Sequence, residues 1–208
     1  TFEGDNTVLM QLVAKSLLSD FQKQFKEDGN FAVLKYMGRR IATVITEQNA
    51  YTVRQTDREH LTSRAFFQYA FDFRARRLTS TLAQRLRAYI KGGKSAFEAG
   101  LLCQTHMLAA AEAYVEALIL DQSLERVAAL PKDNPAREVL KKVLQLYALH
   151  TIEGHSSWYQ EADYISGQKS KAIRKAVDVL CAELRLEVGA LVDGFGIPDE
   201  VLGAPIAL

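Results

Sequence analysis

The chain opens with Thr1-Phe2-Glu3-Gly4-Asp5-Asn6-Thr7-Val8, and a long amphipathic pattern follows it directly. Asp5, Asn6 and Thr7 are good N-cap residues, because each side-chain oxygen accepts a hydrogen bond from the free backbone N–H groups at a helix start. Apolar residues then recur at spacings of three and four, which predicts one apolar helix face made of Val8, Leu9, Leu12, Val13, Leu17, Leu18, Phe21 and Phe25. Taken alone, Glu3 is a solvated acid beside a capped helix start, where the helix dipole favours negative charge.

The composition is that of an ordinary globular protein. The 208 residues are 48% hydrophobic and 25% charged, with a formal net charge of +1. A chain of this size can bury a substantial core. The balanced charge gives no reason to expect nucleic-acid or membrane-surface binding. No apolar run reaches the roughly 18–20 residues that cross a bilayer, so the sequence predicts no membrane span. We expect no secretion signal, and we expect Cys103 and Cys181 to be buried free thiols in a reducing compartment.

Helical periodicity covers almost the whole chain. It predicts helices over residues 7–26, 31–46, 61–90, 95–130, 135–151 and 166–192. Stop signals separate them: Gly92-Gly93 ends the third helix, Pro131 ends the fourth, and Ser95 with Glu98 forms a capping box between the two. Residues 47–59 are expected to form a loop, 158–165 an aromatic connector, and 194–208 a tail that lies against another surface. The predicted fold is therefore all-α, an elongated antiparallel bundle of about six helices.

Six segments carry a family resemblance. The first, Phe2-Glu3-Gly4-Asp5-Asn6-Thr7-Val8-Leu9-Met10-Gln11, resembles the catalytic-glutamate segment of the acyl-CoA oxidases, which belong to the acyl-CoA dehydrogenase superfamily. Five more resemble the C-terminal helical region of the same family: Phe71-Asp72-Phe73-Arg74-Ala75-Arg76-Arg77-Leu78, Leu146-Tyr147-Ala148-Leu149, Leu191-Val192-Asp193-Gly194-Phe195, Ile197-Pro198-Asp199 and Ala204-Pro205-Ile206-Ala207. The overall pattern is most similar to the long-chain type of oxidase.

The resemblance implies a role for each residue of the opening turn. Glu3 would be the base that removes the α proton of the substrate, while its own backbone N–H holds the thioester oxygen. Gly4 would give the turn its tight geometry, and Gly4, Asp5, Asn6 and Thr7 would run past an FAD cofactor. Residues 1–28 would then be the catalytic turn and first helix of a dehydrogenase-like core, and residues 29–208 the oxidase C-terminal helical domain. A catalytic base at the third position indicates that the chain is the C-terminal part of a longer enzyme.

The resemblance also implies an activity and partners. The complete enzyme would desaturate fatty acyl-CoA and pass the electrons to O2, giving H2O2. Its helical part would pack against the flavin-binding domains of the same enzyme, and the enzyme would form a homodimer. The expected location is a bacterial cytoplasm or a peroxisome, although the chain does not end in the peroxisomal address Ser-Lys-Leu. Two alternatives stay open: an acyl-CoA dehydrogenase with a helical extension, and a non-catalytic helical interaction module.

Three other residue groups could bear function. Residues 39–94 hold twelve basic side chains against four acidic ones, which could face phosphates or a missing domain, but a solvated helix face is the preferred interpretation. The four histidines, His60, His106, His150 and His155, have neither zinc spacing nor a Glu-x-x-His pair, so a di-iron bundle is disfavoured. His106 is expected in a core or an interface. The aromatic residues of 66–73 are expected to be core, with an acyl channel as the alternative.

Overall fold

The computed structural model describes residues 6–27, with side chains from 6 to 19, together with residues 51–198 and Val201. Every regular element in these ranges is helical, and the all-α prediction is confirmed. The helices are α1 (Thr7–Glu27), α2 (Arg58–Leu61), α3 (Arg64–Lys91), α4 (Ala96–Leu102), α5 (Gln104–Ala129), α6 (Ala136–Gly154), α7 (Ser156–Glu161), α8 (Gly167–Leu184) and α9 (Val188–Asp193). Short 3₁₀ turns lie at Thr52–Arg54 and Arg185–Glu187. The helix predicted over residues 31–46 lies outside the described residues.

The helix boundaries that local chemistry determines fall where the sequence predicts them. Ser63 caps α3 by accepting from the backbone N–H of Phe66 at 3.2 Å. Ser95 and Glu98 form the predicted capping box at the start of α4. Gly93 follows the end of α3 with a φ of 88°, a left-handed conformation that glycine adopts without strain. Ser166 caps α8 through the backbone N–H of Lys169 at 3.1 Å.

Two predicted long helices are each divided. The predicted helix over 95–130 breaks at Cys103, which has no glycine or proline beside it. The Cys103 side chain is 2% exposed and packs into an apolar cluster, so burial holds the bend. The predicted helix over 166–192 is interrupted by the 3₁₀ turn Arg185–Glu187, and Val188 beyond it is 51% exposed rather than inward-facing. Short helices also occur where a loop and a connector were expected, at Arg58–Leu61 and Ser156–Glu161.

Neighbouring long helices run antiparallel. Between α3 and α5, Gln68 donates a hydrogen bond to Asp121, and the hydroxyl of Thr81 lies 3.0 Å from Nε2 of His106. An earlier residue of α3 thus contacts a later residue of α5, so the two helices are antiparallel. Between α6 and α8, Lys142 pairs with Glu183 and Arg174 pairs with Glu153, which gives the same relation. The predicted antiparallel bundle is therefore the observed architecture.

The core consists of two apolar clusters. The first joins the N-terminal half of α3 to α6, α7 and α8 and includes Phe66, Phe67, Leu149, Tyr159 and Ile173. The second joins the C-terminal half of α3 to the α4–α5 junction and includes Leu78, Leu82 and Cys103. Five alanines of α3 and α5 are also nearly or fully buried: Ala70, Ala75, Ala110, Ala111 and Ala113.

The prediction that Cys181 is buried is wrong, and two apolar segments are exposed in the described residues. In α1, Ala14 is buried and Leu18 packs against the second cluster, but Val8 and Leu12 remain 63% and 59% exposed, because the described part of the chain covers only one side of this helix. Cys181 is exposed, since it lies on the outer side of α8. Within the described tail, Phe195 and Ile197 are exposed, and the contact of the tail with another surface stays a prediction. No described helix combines the length and the apolar character required to cross a bilayer.

Candidate functional site

The start of α1 is the part of the predicted catalytic turn that the structure describes. The helix begins at Thr7, and the backbone N–H of Met10 donates to the carbonyl of Asn6 at 2.9 Å. Asn6 is exposed and Thr7 half-buried. Glu3, Gly4 and Asp5 lie outside the described residues. The predicted helix start is confirmed, and the N-terminal end of a helix is a position that suits an anionic or polar ligand.

A buried arginine organises the middle of the bundle. The Arg74 side chain is 5% exposed, and its guanidinium donates to Glu116 at 2.5 Å and to Glu112 at 3.4 Å. It also lies 3.3 Å from Nδ1 of His155, whose Nε2 is 3.4 Å from the other oxygen of Glu116. A neutral His155 with its proton on Nε2 satisfies both contacts at once. The cluster therefore joins α3, α5 and the α6–α7 junction through charge-assisted bonds.

Glu112, Glu116 and His155 bring their ligand atoms within 4.8 Å of one another. Their oxygens and nitrogen are the donor types that divalent metals accept. Arg74, however, already supplies a fixed positive charge to the same three groups, and a second cation would be repelled by it. We interpret the cluster as an ion-pair network within the core. Sequence reasoning missed it, although the i, i+4 spacing of the two glutamates was a usable signal.

A second buried cation lies at the start of α8. Lys169 is 1% exposed, and its Nζ donates to the carbonyl of Thr52 at 2.8 Å and to Nε2 of His60 at 2.9 Å. The ammonium also lies 4.2 Å from the centre of the Phe66 ring, a cation–π contact. Burial and the neighbouring ammonium lower the pKa of His60, while Asp57 partly opposes the change. Lys169 thus holds residues 52–60 against α8, which the sequence did not predict.

His106 and Arg58 form contacts between helices. His106 is half-buried between α3 and α5, with Nε2 3.1 Å from the carbonyl of Leu78, and burial lowers its pKa. This agrees with the predicted core or interface position. The preferred interpretation of the basic region as a solvated face is wrong for Arg74. Arg58 lies on the surface and pairs with Glu183 on α8 at 2.6 Å.

The aromatic residues of α3 belong to the core. Phe66, Phe67 and Phe71 are at most 3% exposed, which supports the preferred interpretation of the sequence. Phe73 stacks on Tyr164 with ring centres 4.5 Å apart. Tyr159 donates its hydroxyl to the carbonyl of Ala70 at 3.0 Å, and its burial raises the pKa of that hydroxyl. Aromatic packing therefore fixes α7 and the following turn against α3.

Comparison with known proteins identifies relatives along the whole chain. The acyl-CoA oxidase family model matches residues 65–208. The curated relative acyl-coenzyme A oxidase 2, peroxisomal, of Arabidopsis thaliana is 37% identical over 210 residues, covering 100% of this chain and 30% of that protein. The chain therefore spans about a third of the length of this relative.

Solved structures have the same fold. An acyl-CoA oxidase from tomato (Lycopersicon esculentum) superposes with a TM-score of 0.80 at 20% identity, over 100% of this chain and 30% of that one. A Caenorhabditis elegans structure, described as acyl-CoA oxidase-2 bound with FAD, ascaroside-CoA and ATP, has a TM-score of 0.73 at 21% identity over 96% and 28% of the two chains. These structural similarities establish the fold, and the match of the family model to residues 65–208 establishes the family. The chain belongs to the acyl-CoA oxidase family.

Proposed function

We propose that this chain is the C-terminal part of a flavin-dependent acyl-CoA oxidase, in which residues 1–28 carry the catalytic turn and first helix and residues 29–208 the helical domain. The complete enzyme desaturates fatty acyl-CoA to trans-2-enoyl-CoA and yields H2O2 from O2. The observation that carries this proposal is the family match over residues 65–208 in a chain that also has Glu3-Gly4 directly before a helix start.

Glu3 is the base in this scheme. Its carboxylate takes the proton from the carbon α to the thioester, while the β carbon loses hydride. A carboxylate is strong enough for this step when water is excluded and the thioester carbonyl is polarised, because both conditions bring the two pKa values together. The backbone N–H of Glu3 holds the thioester oxygen, and a donor of this kind contributes about 3 kcal/mol to transition-state stabilisation.

FAD is the cofactor that the family implies, and the residues at the start of α1 fit it. Gly4, Asp5, Asn6 and Thr7 would lie along its edge, where the N-terminal end of a helix favours polar or negatively charged ligand atoms. When bound, the flavin would supply the acceptor for hydride from the β carbon and the means of transferring the two electrons to oxygen. The C. elegans relative is described with FAD bound, which supports this choice. The other partners are the flavin-binding domains of the same enzyme and a second copy in a homodimer.

The decisive experiment replaces Glu3 with Gln in the complete enzyme. We expect the purified variant to remain yellow and folded but to show no bleaching of the flavin when fatty acyl-CoA is added, because the amide cannot accept the α proton. Glu125→Gln, at an exposed position on α5, is the matched control and should bleach normally. Normal bleaching in Glu3→Gln would contradict the role of Glu3 and would favour the non-catalytic helical module.

Oxygen consumption separates an oxidase from a dehydrogenase. Both enzymes reduce the flavin in the same way, and they differ in what removes the electrons. We expect one H2O2 per enoyl product in air, whereas a dehydrogenase would bleach and stay reduced. The family match favours the oxidase. The Arabidopsis relative is named as peroxisomal, which favours a peroxisome over a bacterial cytoplasm as the location of the complete enzyme. Fluorescence microscopy of the tagged complete protein would test this location.

A further inference from the structure

A pocket of about 150 Å³ lies where the start of α3, the end of α5 and the first turns of α6 meet. Its apolar wall is formed by Phe67, Leu124, Val127 and Leu144. A cavity of this volume has room for about one benzene-sized group. None of its lining residues belongs to α1. The pocket therefore suits a short apolar group.

Positive charge surrounds this apolar wall. Arg64, Arg137 and Lys141 also line the pocket. Lys141 pairs with the exposed Glu138 at 3.2 Å, whereas Arg64 bonds only the neutral amide of Gln68 at 3.1 Å. Among the described residues, no carboxylate lies within ion-pair distance of Arg64 or Arg137. The two guanidinium groups keep their charge available to a ligand, and their planar geometry matches a carboxylate.

The pocket walls are held by bonds within the protein. Gln145 donates from Nε2 to the carbonyl of Thr62 at 3.2 Å, which ties α6 to the turn before α3. Asn134 accepts from the backbone N–H of Ala136 at 2.9 Å and so fixes the start of α6. Phe67 is 1% exposed and is part of the first core cluster. A ligand would therefore enter a largely preformed site, which reduces the entropy cost of binding.

We propose that this pocket binds a small organic anion with a short apolar tail, namely a carboxylate amphiphile. The tail packs against Leu124 and Leu144, and the carboxylate is held by Arg64 and Arg137. Neither the tail nor the charge is sufficient alone, because the apolar volume is small and the cations are partly solvated. Binding should therefore need both parts of the ligand and should weaken as salt concentration rises.

Hexanoate is the probe, added to the complete enzyme with isotope-labelled leucine and valine methyl groups. A local readout is required, because a carboxylate with an alkyl chain could also enter the substrate site. We expect saturable shifts of the Leu124, Val127 and Leu144 methyl signals at millimolar hexanoate. Hexan-1-ol has the alkyl tail without the negative charge, and inorganic phosphate has the charge without the tail. Each should bind about tenfold more weakly than hexanoate. Equal binding of either one would overturn the proposal.

Surface variants test the charge. Arg64→Gln with Arg137→Gln should weaken hexanoate binding about fivefold, as two partly exposed ion pairs would. Arg126→Gln removes an exposed cation from α5 that does not line the pocket, and it should change the affinity less than twofold. Oxidation of acyl-CoA should proceed at the wild-type rate in both. Unchanged hexanoate affinity in the double variant, or no methyl shifts in the wild type, would refute the assignment.

Discussion

Arg74 is the residue whose surroundings most clearly distinguish its role from that of its neighbours on α3. Its side chain is 5% exposed, whereas Arg77, three residues later, is exposed and lies over the ring of Phe73. A buried guanidinium is costly unless acceptors surround it, and here two glutamates and a histidine do so. The segment 71–78, on which part of the family resemblance rests, thus contains the buried arginine of this ion-pair network.

Replacing Arg74 with Met should destabilise the protein by about 2–3 kcal/mol, because Glu116 would stay 20% exposed without its cation. Urea unfolding followed by circular dichroism measures this change. Arg77→Met is the control and should cost less than about 0.5 kcal/mol. Adding Glu116→Gln to Arg74→Met should recover part of the loss, since the unpaired charge is then removed. A double variant as unstable as the sum of both single variants would contradict the ion-pair interpretation.

At the scale of elements, the Lys169 contacts connect α8 to the 3₁₀ turn Thr52–Arg54 and to α2. Nζ of Lys169 bonds the carbonyl of Thr52, and the backbone N–H of Ser166 donates to the carbonyl of Val53 at 3.0 Å. His60 completes the contact by accepting from Lys169, which requires a neutral imidazole. This junction should therefore respond to pH.

The pKa of His60 is lowered in the folded protein from its usual value of 6.5. The unfolded chain then binds more protons below pH 6.5, so stability is complete above that pH and falls as the pH drops towards the folded pKa. Burial and the charge of Lys169 lower this pKa, and the carboxylate of Asp57 raises it. We expect the free energy of unfolding to fall less between pH 7.5 and 5.5 in His60→Gln than in the wild type.

His150→Gln provides the control for this experiment. The His150 side chain is 76% exposed, so this variant removes a histidine without disturbing the contact between Lys169 and His60. Thermal unfolding in buffers of matched ionic strength is the measurement. His106 also has a lowered pKa, so some pH dependence should remain in His60→Gln. A profile identical to the wild type in that variant would contradict the role of His60.

Helix starts and stops were predictable because neighbouring residues determine them. Ser95 and Glu98 cap one helix, and Gly93 ends another, through contacts within a few residues. The break at Cys103 was not predictable, since it depends on burial against a cluster formed with α3. The Arg74 network joins residues 38 to 81 positions apart, and no pattern in a single sequence specifies which glutamate reaches which arginine. For the proposed catalytic turn, the residue pattern predicted the helix start, whereas the role of Glu3 as the base is inferred from the family resemblance.

At the scale of the whole molecule, α1 presents apolar side chains that the described chain does not cover. Val8, Leu9 and Leu12 are 63%, 40% and 59% exposed, and together they form the exposed face of α1. Clustered apolar residues of this kind mark a contact surface. The chain spans only 30% of the length of its Arabidopsis relative, so we expect the complete enzyme to cover this face.

Leu12→Lys should therefore have opposite effects in two settings. In the isolated 208-residue chain, it should reduce self-association, measured by sedimentation velocity, because it removes apolar surface. In the complete enzyme, it should lower the melting temperature, because the charge would be buried without a partner. Lys15→Gln, at an exposed position of the same helix, should change neither measurement. Unaltered stability of the complete enzyme with Leu12→Lys would mean that this face stays in solvent.

The buried alanines of α3 and α5 have one more consequence. Alanine has no side-chain rotamers to lose, so ordering Ala70, Ala75, Ala110, Ala111 and Ala113 costs almost no side-chain entropy on folding. Larger side chains at these buried positions should destabilise the fold, because overpacking a well-packed core forces side chains off their rotamers or moves the backbone. The two longest described helices thus bury these positions at little entropic cost.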